Sequence, residues 1–185
     1  MIDSALLFIK RYVSNELKLR LGSTVEVKID SIDKENSSNS ILITLLNIEE
    51  EKFLKNQNHY RKENKDDIGY KVVNPEIQLN LYVLFSAQKN DYAEALKQIS
   101  HLITLFQGKN VFEKEDFPSD INLESLIIEF YSLSLEQNNN MWQTLGSKLV
   151  PSALYKIKLI SIQDNKKLGD VGEVRGIAID LTHKP

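Results

Sequence analysis

The stretch Glu76-Ile77-Gln78-Leu79-Asn80-Leu81-Tyr82-Val83-Leu84-Phe85-Ser86-Ala87, continued by Asp91 to Gln107, decides the fold. In its first half Ile77, Leu79, Leu81, Val83 and Phe85 alternate with Glu76, Gln78 and Asn80, the period-two pattern of a strand. In its second half Tyr92, Ala95, Leu96, Ile99, Leu102, Ile103 and Phe106 recur at helical spacing, and Gly108 closes the run. A strand feeding an amphipathic helix predicts a βα unit with the helix laid back on a sheet.

Upstream, Ile2 to Leu21 reads as a helix with Ile2, Ala5, Leu6, Ile9, Val13 and Leu17 on one face. Asp3 or Ser4 is placed to cap it and Gly22 to stop it. Leu7, Phe8, Tyr12 and Leu19 widen the stripe beyond what one core needs, so burial on two sides is expected, by the domain or by a neighbouring copy. Val25 to Asp30 and Ile41 to Ile48 read as strands around a polar turn, and a hairpin is expected.

From Glu49 to Lys71 the chain is almost wholly polar, with balanced charges, and is expected to be a long loop that orders on a protein partner. Lys55, Tyr60, Arg61 and Lys62 are its candidate contact residues.

Downstream, Val111-Phe112 suggests a short strand before the turn at Phe117 to Asp120. Leu126 to Leu135 is expected to be a strand with a bulge between Phe130 and Tyr131. A short helix is expected from about Asn139 to Ser147, capped from the run Asn138-Asn139-Asn140. Tyr155 to Ile162 and Glu173 to Leu181 read as strands joined by a turn over Asp164 to Gly172. The sum is one α+β domain over residues 1–185, with a mostly antiparallel sheet packed by two main helices and a polar loop at about 49–72.

Composition narrows the function. The 185 residues are 42% apolar and 26% charged, with a net charge of −3. That is ordinary for a globular domain and gives no global attraction to nucleic acid. The absence of cysteine removes thiolate nucleophiles and zinc–thiolate sites and fits a reducing cytoplasm. The apolar run after Met1 ends at Lys10-Arg11 without a cleavage site, and no run reaches the roughly 20 residues that span a bilayer. His59, His101 and His183 show no metal-ligand spacing. Gly169, Gly172 and Gly176 match no phosphate loop, and no nucleophile motif occurs. The carboxylates Glu49-Glu50-Glu51 and Asp66-Asp67 read as solvated charge. No enzyme, cofactor, nucleic-acid or membrane role is expected.

Trp142 lies in Asn138-Asn139-Asn140-Met141-Trp142-Gln143-Thr144-Leu145-Gly146, between two strand-like runs. It is either an anchor inside the domain or a contact between subunits. This piece, with Asn74 to Ala87, Asp91-Tyr92-Ala93-Glu94-Ala95-Leu96 and Pro151-Ser152-Ala153-Leu154-Tyr155-Lys156-Ile157, occurs in an order that resembles the N-terminal domain of cap proteins of extracellular contractile injection systems. These are the antifeeding-prophage and Photorhabdus-virulence-cassette particles.

The resemblance implies a phage tail-terminator-like fold and a structural role. A ring, usually of six copies, closes the distal end of inner tube and sheath. It implies self-association, partners in the tube and sheath proteins, assembly in the cytoplasm and release as part of a phage-tail-like particle. Alternatives are a baseplate or adaptor subunit of such a particle, or a small ligand-binding domain. Each copy in a ring needs two different complementary surfaces. The candidates are Phe8 and Tyr12 on the first helix, the polar loop, Asn139, Met141 and Trp142 at the corner, and the tail with His183.

Overall fold

The computed structural model describes residues 1–22, 25–32, 39–51, 60–61, 69–72, 77–162 and 169–172. Along the chain lie α1 (Ile2–Leu21), β1 (Glu26–Ile29), β2 (Ser40–Glu50), β3 (Tyr60–Arg61), β4 (Gly69–Val72), β5 (Ile77–Gln88), α2 (Tyr92–Gly108), β6 (Val111–Glu113), a single 3-10 turn, β7 (Ser125–Phe130), α3 (Leu135–Thr144), β8 (Ser152–Ile162) and β9 (Gly169–Gly172). Six strands form one sheet in the order β1-β2-β5-β8-β7-β6. The fold is α+β, and every neighbour in this sheet is antiparallel except β1 and β2.

The deciding stretch forms as its periodicity requires. β5 occupies an interior position, between β2 and β8. Its Leu81, Val83 and Phe85 bury with Ile41 and Ile43 of β2, Tyr155 and Ile157 of β8, and the inner faces of α1 and α2. The Asp91 carboxylate caps α2 by accepting from the Ala93 N–H at 2.9 Å. α1 contributes Ala5, Leu6, Phe8, Ile9, Val13 and Leu17 to this core. It ends at Gly22, whose φ of 65° is the left-handed conformation that glycine adopts without a Cβ clash. Asp3 and Ser4 do not cap α1, because Met1 holds the N-cap position and no side chain bonds there.

Both faces of the sheet carry buried side chains. On the face away from α1 and α2, Leu42, Leu84 and Leu154 pack with Ile32 and Trp142 into a second cluster. Consecutive strand residues point to opposite sides, so Val83 and Phe85 serve the first core while Leu84 serves the second.

Several expectations are corrected. β1 and β2 are parallel, with Val27 opposite Ile41 and Ile29 opposite Ile43, and are not a hairpin. Periodicity gives a strand's faces but not its direction. β7 stops at Phe130 instead of bulging, because Ser134 and Gln137 form a reciprocal capping box that starts α3 at Leu135. Asn138 to Asn140 therefore lie inside α3 and not at its cap. The polar stretch also holds two strands. β3 and β4 pair antiparallel, and β4 pairs with β9 in a three-stranded sheet, where turns were expected at Gly169 and Gly172. The strand expected at 173–181 lies outside the described residues.

Candidate functional site

Phe8 and Trp142 are both internal. Phe8 is 5% exposed, and its ring meets Phe112 and Phe117 edge-on at 5.1 and 4.8 Å. Tyr12 is half-buried beside it, edge-on to Phe112 at 4.9 Å. Burial, then the nearby Glu16 carboxylate, raises its phenol above the usual tyrosine range. The wide stripe of α1 is thus covered largely by the domain's own aromatic residues, although Leu19 stays 78% exposed.

Trp142 is 4% exposed within the second cluster, and its indole Nε1 has no hydrogen-bond partner. Met141 packs part-buried against the same cluster. Asn139 is exposed on α3. Tyr60 and Arg61 form β3. Lys55, Lys62 and His183 lie outside the described residues.

The carboxylates at the end of β2 are not simply solvated. Glu49 accepts from the Tyr82 hydroxyl at 2.9 Å, and Glu51 accepts from the Asn80 amide at 3.0 Å, with Lys156 at 3.8 Å. Burial, followed by the Glu49 hydrogen bond, pushes the Tyr82 phenol up to about 12. On the same side of the sheet Lys158 bonds Glu129 at 2.6 Å. These charges satisfy one another and form no convergent reactive set. Among the described residues no group of three His, Asp or Glu side chains could hold a metal ion, and no helix is long and apolar enough to cross a membrane.

One surface was missed in the sequence. α2 has three faces. Ala95, Gln98, Ile99, Leu102, Leu105 and Phe106 are buried. Glu94, Lys97 and His101 make up its polar face. The third face is uncharged and includes Tyr92, Leu96 and Ile103, which are 65%, 45% and 38% exposed. Ser100 and Thr104 beside them donate to the carbonyls of Leu96 and Ser100 at 2.8 and 3.0 Å, so these hydroxyl protons turn inward to the helix. The available signal was width: seven apolar residues in one helical stripe exceed a single buried face.

This face runs into a groove of about 480 Å³ whose walls include Ile103, Phe106, Ile128, Phe130 and Tyr155. Phe130 is 55% exposed at its edge. The neighbouring strand end is open. β6 pairs only with Ser125 to Ile127, and beyond it the Ile128 N–H reaches the Asn110 carbonyl at 2.8 Å. The Tyr131 N–H turns the other way, to Leu154 of β8 at 2.9 Å. By alternation the Phe130 backbone faces outward, past the end of β6.

The mixed six-stranded sheet with helices packed on it has counterparts among solved structures. It matches the sheath/tube terminator of PVC, an extracellular contractile injection system, in the extended state, with a TM-score of 0.68 and 14% identity over 97% of this chain. It also matches the tube-terminating cap of the anti-feeding prophage, with a TM-score of 0.62 and 14% identity over 94% of this chain. The chain belongs to the Pvc16 N-terminal domain family, whose model it matches over residues 6–174. It spans 64% and 60% of the two structural relatives. No curated protein sequence matches it.

Proposed function

We propose that the protein is a structural cap of a contractile injection system, a ring of six copies that terminates inner tube and sheath at the distal end. The observation that carries this reading is membership of the Pvc16 N-terminal domain family over residues 6–174, joined to a terminator fold across nearly the whole chain. Its partners are further copies of itself, the tube protein and the sheath protein, and its assembly is cytoplasmic before the particle leaves the cell. It carries out no catalysis. The mutually paired charges and closed cores support a scaffold rather than a reaction site.

Of the candidate contact residues in the described fold, Phe8 and Trp142 are buried within the subunit, which leaves Tyr12 on α1, Asn139 and Met141 on α3, and Tyr60 and Arg61 on β3. Native mass spectrometry and electron microscopy of the protein mixed with its tube protein test the reading. A six-membered ring seated on tube ends is expected. A strict monomer that binds neither tube nor sheath overturns it, and a location at the baseplate end transfers it to an adaptor subunit.

A further inference from the structure

Among the described residues the six-stranded sheet has two unlike unpaired ends. At one end β1 is the terminal strand, and among the described residues no strand pairs with its outer edge. At the other end β6 covers only half of β7 and leaves the Phe130 backbone facing outward. An unpaired strand edge recognises another extended strand through main-chain hydrogen bonds, and side-chain pockets at alternate positions set the fit.

The side chains at the two ends match. Val25 and Val27 point into the core beneath α1 and α2, so Ile29, two residues on from Val27, projects on that same side and is 41% exposed. Leu126 and Ile128 point into the same core, so Phe130 also projects on that side, 55% exposed, beside the groove over Tyr155. Each free edge therefore carries one exposed apolar side chain on the same face of the sheet.

The strand directions match as well. β1 is parallel to β2, and the steps from β2 to β5, β5 to β8 and β8 to β7 are each antiparallel, so β1 and β7 run in opposite senses. Copies related by rotation about an axis along the strands would set β1 of one copy antiparallel to β7 of the next, the more stable pairing. Two different surfaces on each copy are what a closed ring of identical subunits requires.

We infer that the occupant of the β7 notch is β1 of a second copy, which continues the sheet across the subunit boundary and seats Ile29 against Phe130 and the groove. This rests on the ring reading and names the contact within it. It commits the uncharged α2 face, adjoining the notch through Ile103, to the same boundary.

The chain has no cysteine, so an introduced pair reports without background. Ile29→Cys and Phe130→Cys, both at exposed positions, would be made singly and together, checked for a cooperative melt, and assembled with the tube protein. They would then be treated with oxidant or a short bis-maleimide. The double variant is expected to give a covalent ladder up to the ring size on a non-reducing gel, while each single variant stays at one subunit.

Rings without a ladder, a ladder only to the tube protein, or self-cross-linking by the Phe130→Cys variant alone would overturn the contact and leave the ring standing. Failure of the wild-type protein to form any ring would remove both. As a second measure, Ile29→Asp is expected to keep the wild-type melting temperature and lose the ring. A ring that survives that charge also overturns the contact.

Discussion

The Phe130 ring stands perpendicular to the Tyr155 ring with centroids 5.4 Å apart, joining an exposed aromatic residue to one that is 2% exposed. Tyr155 also meets Phe85 and Phe106 at 5.5 and 5.1 Å, so it is the hub of this aromatic group. Tyr155→Ala is expected to cost about 3–5 kcal/mol of unfolding free energy, as truncation of a buried aromatic does. Phe130→Ala is expected to cost about 1 kcal/mol, the scale of one aromatic pair. Urea denaturation of the two variants checks the contrast.

Trp142 anchors α3 to the second cluster and is the chain's single tryptophan. Trp142→Ala is expected to destabilise the subunit by about 3–5 kcal/mol. Trp142→Phe is expected to cost less, since the indole Nε1 makes no hydrogen bond that would be lost. The intrinsic fluorescence of the native protein should be blue-shifted and should redden with the same urea midpoint as circular dichroism. A Trp142→Ala subunit of native stability that fails only to assemble would instead make Trp142 an inter-subunit contact.

Ser134 accepts from the Gln137 N–H at 3.2 Å, and the Gln137 side chain accepts from the Ser134 N–H at 2.9 Å. Ser134→Ala is expected to cost about 1 kcal/mol, the usual value for losing an N-cap hydroxyl. Asn139→Ala, on the exposed side of the same helix, should lie within about 0.5 kcal/mol of wild type. Thermal melts of both variants separate a cap at Ser134 from a cap in the asparagine run.

Two aspartates contribute to the acid response through cross-element ion pairs. Hydrogen bonds from Lys109 to Asp116 and from Arg11 to Asp120 hold both carboxyl groups below the usual value of 3.8. Their folded state therefore binds fewer protons than the unfolded chain in that window. The stability they supply is complete above 3.8 and is lost as pH falls through their folded values. Both pairs are near the surface, so the effect is small and weakens with salt. Urea midpoints of wild type and Asp120→Asn between pH 6 and 3, as order-of-magnitude bounds of that window, should converge on acidification.

The sequence reveals an element wherever one face is oily and the other wet. Ile77 to Phe85 and the buried positions of α1 and α2 carry that contrast, and those elements stand close to where periodicity puts them. Direction is a different matter. Val27 and Ile41 would show the same alternation in either sense, so the parallel β1–β2 pair has no local signature. α3 was displaced because Leu133 and Leu135 prolong the apolar rhythm of β7, and three asparagines imitate a cap that Ser134 supplies.

β3, β4 and β9 are two to four residues long and rich in polar or glycine residues, too short for a period to register. Of the candidate surfaces, the uncharged side of α2 was hidden by success. Tyr92, Leu96 and Ile103 fit the same helical stripe as their buried neighbours, so periodicity alone does not separate the two faces.

β5 has a strand on each side and a packed layer on each face, with Val83 and Phe85 in one layer and Leu84 in the other. Water cannot reach its central amides by fraying an edge or lifting one helix. Their hydrogen exchange should proceed only through global opening, so residues 81–87 are expected to be the slowest-exchanging part of the chain. Isotope uptake there reads the stability of the whole subunit directly, while uptake at β1 and at the end of β7 reads only how often the two free edges are left uncovered.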